Sequence, residues 1–189
     1  MEIEGIAAVR GCLWADLWPV EARELIESAL KDFVREIRDR LSALGVAQTL
    51  FVAREHAPCD VRVLVPALLQ PFSVQGCPIE ISELPDVSVD QGQADALALV
   101  FGEFAVNSSK HGALSAQGFI RVRAELEGEH LTILWTERSS KAVAAHERDG
   151  GQGLRLITRI LAARNGSIAL DWQENGLDAQ IRLERRPDR

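Results

Sequence analysis

Hydrophobic residues recur at intervals of three and four through the first third of the chain. The clearest pattern lies between Val20 and Arg54, where one helical face carries Ile26, Leu30, Phe33, Ile37, Leu41 and Leu44. An earlier helical pattern over Glu2–Trp18 ends at Pro19. Because two helices cannot bury both apolar stripes in isolation, the pattern predicts a helical hairpin that pairs with a second copy into a four-helix bundle.

Beyond this hairpin the pattern changes to short alternating segments, which are typical of strands. The strands are predicted at Ile79–Ser82, Val87–Val89, Phe119–Leu126, His130–Glu137, Ser167–Gln173 and Ala179–Glu184. Three helices accompany them, one ending at Leu69 after the cap Asp60, one over Gln91–His111 after the cap Asp90, and one over Gln152–Arg164. The sequence therefore predicts an α+β protein with a dimerisation hairpin over 1–56 and an α/β domain over 60–185.

Composition and charge exclude several classes of function. The 189 residues carry a formal net charge of −7 and 47% of them are hydrophobic. The chain can therefore build a packed core, but it offers no basic surface for nucleic acid. Its three cysteines are too few and too scattered for a disulfide framework or a zinc site. No apolar run reaches the roughly 18 residues of a membrane span, so we expect a cytoplasmic protein that binds neither nucleic acid nor membrane.

The first candidate site lies on the long helix that ends at His111. Glu103, Asn107 and Lys110 stand at positions i, i+4 and i+7, so a carboxylate, an amide and an amine share one face. A carboxylate can accept a proton, an amide oxygen suits Mg²⁺, and an ammonium suits phosphate. The alternative is a surface stripe of polar residues with an i, i+4 hydrogen bond and no role in chemistry.

Two further features follow along the chain. Gly151 and Gly153 precede or open a helix, where glycines allow a close ligand approach and free N–H groups favour a phosphate. Glu137 ends a strand, where its carboxylate could accept a hydrogen bond from the exocyclic amine of a base. The alternatives are a flexible surface loop for the glycines and a solvated side chain for Glu137.

Taken in this order, the features resemble the catalytic core of HWE/HisKA_2-type sensor histidine kinases. Residues 96–115 are similar to the N box of that family, Trp135-Thr-Glu137 matches its Trp-x-Glu element, and Gly151-Gln-Gly153 matches its second glycine box. Residues 40–44 and 60–72 resemble its second dimerisation helix and the junction between its domains. The resemblance covers nearly the whole chain.

This resemblance implies a Bergerat-type pocket for ATP and Mg²⁺, formed by a mixed sheet and helices. Glu103 would orient or deprotonate the groups around the γ-phosphate, Asn107 would hold Mg²⁺, and Glu137 would lie near the adenine amine. The implied phosphate contacts are Lys110, Gly151 and Gly153.

Three departures from the family pattern change the expected function. Gly102 replaces the histidine of the N box, Ser139-Ser140 replaces two glycines, and Met1 aligns with the phosphoacceptor histidine. The resemblance then implies a homodimeric two-component signalling protein that binds nucleotide, lacks the usual acceptor, and acts through a response-regulator receiver domain or a partner kinase. Two alternatives stay open: an active kinase that phosphorylates a partner in trans, and a fragment of a longer sensor histidine kinase.

Overall fold

The computed structural model describes residues 19–73, 77–140, 142 and 151–184. The chain divides into two compact units between Arg38 and Asp39, inside one long helix, α1 (Val20–Ala53). This helix confirms the second helix of the predicted hairpin. The first predicted helix, Glu2–Trp18, lies outside the described residues.

The described part of the first unit is the beginning of α1. Exposed ion pairs join Lys31 to Glu27 and Arg35 to Asp32 on its surface. Large apolar side chains of this part are also exposed, and they include Leu25, Leu30, Phe33 and Val34. None of the helices that the structure describes is long and apolar enough to cross a membrane.

The second unit contains the rest of α1 and the mixed α/β fold. Its further elements are, in order, β1 (Cys59–Asp60), α2 (Val61–Leu69), a 3₁₀ turn (Gln70–Phe72), β2 (Ile79–Ser82), β3 (Ser88–Val89), α3 (Gln91–His111), β4 (Gly118–Glu127), β5 (His130–Ser139), α4 (Gly151–Ala162), β6 (Gly166–Gln173) and β7 (Gly176–Glu184). All the strands and helices predicted after Arg54 are found, with small shifts at their ends.

Five of the strands form one sheet in the order β2-β4-β5-β7-β6. Strand β2 pairs with β4 in parallel, whereas the other three pairs are antiparallel. The sheet is therefore mixed, as the resemblance to histidine kinase cores implies. Strands β1 and β3 form a separate two-stranded antiparallel pair.

Alternation along the central strands places one face of the sheet in the core. On β5 the side chains of Leu131, Ile133 and Trp135 are buried. The α3 residues Phe101 and Phe104 pack on the indole ring of Trp135, with ring centroids 6.2 and 5.2 Å away. This packing fixes α3 over the sheet and so positions the polar residues that α3 carries.

Strand β5 is longer than predicted. It continues past Glu137 to Ser139, because Arg138 pairs with Gly176 of β7 and Ser139 pairs with Gly118 of β4. A bidentate ion pair between Arg138 and Asp178 strengthens this end of the sheet, with N–O distances of 3.0 and 2.7 Å. Glu137 therefore lies inside β5 and not at the end of this strand.

Candidate functional site

Helix α3 carries three of the predicted site residues, and its start is defined by a capping box. The Asp90 carboxylate accepts a hydrogen bond from the Gln93 N–H at 2.8 Å, and the Gln93 side chain accepts from the Asp90 N–H at 3.3 Å. The helix therefore begins at a fixed residue. Glu103 and Asn107 follow on it, one turn apart.

Glu103 is buried and paired with a cation. Its Oε2 accepts a hydrogen bond from Arg40 Nε at 2.7 Å, and its Oε1 accepts from Arg40 Nη2 and from Asn107 Nδ2, both at 3.5 Å. A side chain at Gly153 would overlap the same carboxylate. Only 6% of Glu103 is exposed, so the interpretation of this residue as part of a surface stripe is wrong.

Glu137 is also buried, and three donors orient its carboxylate. Oε1 accepts hydrogen bonds from the Ser108 hydroxyl at 2.5 Å and from the Ala113 N–H at 2.7 Å, while Oε2 accepts from the Trp135 indole N–H at 3.4 Å. A Cβ at Gly112 would overlap this carboxylate, so the chain passes very close to it. The interpretation of Glu137 as a solvated strand end is therefore wrong.

Asn107 and Glu137 line a common pocket. Its other walls come from α3 and from the hairpin of β6 and β7, and they include Phe104, Ser108, His111, Trp172 and Leu177. Mostly apolar walls with a few oriented polar groups are typical of sites for small molecules. The chemistry of this lining suits the apolar faces of a flat heterocycle, whose donor groups the Glu137 carboxylate could accept from.

A second groove, larger than this pocket, has a separate lining. Glu103 and Gly153 line it together with Arg40, Arg155 and other residues of α4. The structure thus brings the predicted residues together in two neighbouring places, which the contact between Asn107 and Glu103 connects.

Two predicted site residues remain, Lys110 and Gly151. Lys110 lies in the last turn of α3 with an exposed side chain, and Gly151 is the first residue of α4. No group of three or more His, Cys, Asp or Glu side chains that could hold a metal ion occurs within the described ranges. Magnesium in nucleotide sites needs only one or two protein oxygens, because phosphates and waters complete its shell.

Gly102 has a specific packing role. A Cβ at this position would lie 2.7 Å from the Arg40 carbonyl oxygen, closer than side-chain carbons approach backbone in proteins. Helix α1 and helix α3 therefore touch here through their backbones. A histidine, which the resemblance to the HWE family would place at this position, does not fit unless α1 moves.

Burial also decides the chemistry of Cys77, which precedes β2. Removal from solvent raises the pKa of its thiol, and the charge of the nearby Glu137 raises it further. The thiol therefore stays protonated and unreactive at neutral pH. Cys77 belongs to the packing around Glu137 and not to the chemistry of the site.

Three contributors to the site are absent from the sequence prediction. Ser108 stands directly after Asn107 and could have been found as a donor, since it lies inside the N-box segment. Trp172 gives a weaker signal, as an aromatic residue in the last hairpin. Arg40 gives no signal in the sequence, because it is 63 residues from Glu103 and resembles the other charged residues of a solvated helix face.

Comparison with known proteins gives one consistent result. No family model matches the chain. It is 27% identical over 162 residues to blue-light-activated histidine kinase 1 of Erythrobacter litoralis (strain HTCC2594), a match that covers 83% of this chain and 45% of the relative. Its sequence is therefore similar to those of curated blue-light-activated histidine kinases. It spans less than half the length of the curated relatives it matches.

The fold agrees with this likeness. The histidine kinase domain of the Erythrobacter litoralis EL346 blue-light-activated kinase superposes with a TM-score of 0.62 at 15% identity, over 79% of this chain and 74% of that chain. The Acinetobacter baumannii histidine kinase AdeS gives 0.58 at 14% identity, over 95% and 92%. The predicted α+β fold and the predicted resemblance to histidine kinase cores of two-component signalling are confirmed.

Proposed function

We propose that this chain binds a magnesium nucleotide between α3, β5 and the hairpin of β6 and β7, and acts in two-component signalling. The observation that carries the proposal is the shared pocket of Asn107 and Glu137, in which a buried, oriented carboxylate faces apolar and aromatic walls. The ligand would be ATP with Mg²⁺, as the likeness to histidine kinases suggests.

The base would bind beside Glu137. A carboxylate has about four acceptor positions, and Glu137 uses two on Oε1 and one, through a long bond, on Oε2. The capacity that is left suits an exocyclic amine. Trp172, which lines the pocket and is only partly buried, offers the apolar surface that a purine needs.

The phosphates would lie toward Asn107 and the start of α4. An amide oxygen from Asn107 would hold Mg²⁺ beside the nucleotide phosphates. The Glu103 carboxylate would orient or deprotonate the groups around the γ-phosphate, and it too is a kind of ligand that Mg²⁺ takes. The first N–H groups of α4, from Gly151 onward, favour an anion, and Lys110 adds a positive charge. ATP would supply the phosphoryl group, while these residues bind and orient it.

The partner would be a response-regulator receiver domain or a kinase, and the protein would act as a cytoplasmic homodimer. The alternative is an active kinase that phosphorylates a partner in trans. Both proposals use the same pocket, and they differ in whether the phosphoryl group leaves it.

Calorimetric titration with the magnesium complex of a non-hydrolysable ATP analogue tests the binding. We expect measurable affinity, a loss of about tenfold or more for Asn107→Ala and Glu137→Gln, and no change for Glu125→Gln, an exposed strand residue. Absence of heat at millimolar nucleotide contradicts the proposal. Labelled ATP with candidate partners then separates the alternatives, because transfer of label that Asn107→Ala abolishes indicates a kinase.

A further inference from the structure

The side chain that faces Glu103 most closely comes from α1 and not from α3 or α4. Arg40 donates from Nε to Glu103 Oε2 at 2.7 Å and from Nη2 to Oε1 at 3.5 Å. Both residues belong to the compact unit that begins at Asp39. The proposed catalytic acid-base group is therefore held by a cation from another element.

Glu103 has little freedom to leave this pair. Asn107 donates to it from one side, and Gly153 lies so close that a Cβ there would overlap the carboxylate. The carboxylate lines the groove beside α4, where its closest partner is Arg40, so a cation brought by a ligand would have to compete with the guanidinium.

Gly102 makes the contact between these helices possible. A Cβ at position 102 would lie 2.7 Å from the backbone carbonyl oxygen of Arg40, so a side chain there would collide with α1. The guanidinium contact and the backbone contact thus occur at the same place on α1. Two independent features therefore bring α1 close to α3 here: the ion pair between Arg40 and Glu103, and the absence of a side chain at position 102.

We propose that Arg40 is an autoinhibitory contact, which keeps Glu103 from the magnesium nucleotide until the end of α1 is displaced. The inference rests on the proposed nucleotide binding and concerns the regulation of that site. A guanidinium and Mg²⁺ compete for the same carboxylate and repel one another at close range. The paired state therefore lowers the affinity for the magnesium complex, and release of α1 restores it.

Three variants test this proposal. Arg40→Gln removes the charge that pairs with Glu103, and Gly102→Ala inserts a methyl group between the two helices. Both substitutions therefore weaken the contact between α1 and α3, the first by loss of an ion pair and the second by a steric clash. Arg35→Gln is the matched control, because it makes the same change on the same helix at an exposed ion pair. The affinity for the magnesium nucleotide analogue is measured for each, with thermal unfolding to verify that each variant is folded.

We expect both contact variants to bind the magnesium nucleotide about fivefold or more tightly than the unmodified chain, while Arg35→Gln binds as the unmodified chain does. Equal affinity in folded Arg40→Gln overturns the autoinhibitory contact. Weaker binding overturns it too, because Arg40 would then be a phosphate ligand. If Gly102→Ala does not fold, Arg40→Gln alone decides.

A readout without nucleotide separates this inference from the proposed function. Amide hydrogen exchange at the end of α1, from Asp39 to Ala53, should accelerate about fivefold or more in Arg40→Gln and stay unchanged in Arg35→Gln. Unchanged exchange in Arg40→Gln overturns the contact. If exchange accelerates but none of the proteins binds nucleotide, the proposed function fails while Arg40 still holds α1.

Discussion

At the scale of the residue, the carboxylate of Glu137 depends on the hydroxyl of Ser108. That hydroxyl donates to Glu137 at 2.5 Å and accepts from the Leu114 N–H at 3.0 Å. Ser108→Ala leaves two buried polar groups without this partner. We expect a loss of about 1–3 kcal/mol in the free energy of unfolding, measured by urea denaturation.

The control for this substitution is Ser115→Ala. Ser115 is exposed, and its hydroxyl donates to the Gly112 carbonyl, so its removal should cost less than about 0.5 kcal/mol. Equal losses for the two serines would show that burial of Glu137 does not set the cost.

Asp95 on α3 gives a pH-dependent prediction. Burial raises the pKa of this carboxyl above its ordinary value of 3.8, although a hydrogen bond from Gln48 opposes the shift. The folded protein therefore binds a proton that the unfolded chain releases, and stability falls as the pH rises from the ordinary to the raised pKa. We therefore compare the Tm of Asp95→Asn with that of the unmodified chain at two pH values. The difference should shift by about 1–3 °C in favour of Asp95→Asn when the pH is raised from 3.5 to 7.5.

Asp60 should show the opposite sign. Hydrogen bonds from the Arg62 side chain hold the pKa of Asp60 below its ordinary value of 3.8. Its contribution to stability is therefore present above that ordinary value and is lost as the pH falls through the lowered one. Asp60→Asn should lower Tm by about 1–3 °C at pH 7, and the difference should narrow in acid. The same sign for both variants contradicts this account.

At the scale of the element, helix α3 connects the fold to the site, and its capping box sets where it begins. Asp90→Ala removes the acceptor for the Gln93 N–H. The substitution should lower the free energy of unfolding by about 1 kcal/mol, measured by chemical denaturation. Asp90→Asn is the matched variant, since its side-chain oxygen can still accept, and it should cost less than half as much. An equal cost for both would mean that charge, and not capping, matters here.

The helices and strands of the second unit could be predicted because their signals are local. Asp90 marks the start of α3 by its capping box, and alternation marks β4 and β5. The end of β5 at Ser139 could not be predicted, because it depends on pairing with Gly118 and Gly176, which are far away in sequence. For the same reason the partner of Glu103 could not be read from the sequence.

At the scale of the whole molecule, the apolar side chains along α1 predict association. Leu30, Phe33, Ile37 and Leu41 are each between 39% and 62% exposed, and they follow the spacing of a helix that packs lengthwise. We propose a second copy of this chain as the partner. Light scattering should give a dimer, and Phe33→Asp should weaken dimerisation at least tenfold.

The control for the dimer is Lys31→Glu, because Lys31 is solvated and outside the stripe. It should leave the dimer intact. A monomeric unmodified chain at high micromolar concentration would contradict the assignment of this stripe to self-association.

The sequence by itself determined the α+β class, the order of helices and strands, and the likeness to histidine kinases, and it predicted part of the candidate site. These properties follow from periodicity, caps and motifs, which lie within short stretches of chain. Only the tertiary structure decided that Glu103 and Glu137 are buried, which donors hold each carboxylate, and why position 102 is glycine. Those contacts join residues that are distant in sequence, and packing of α1 on α3 and of α3 on the sheet is what brings them together.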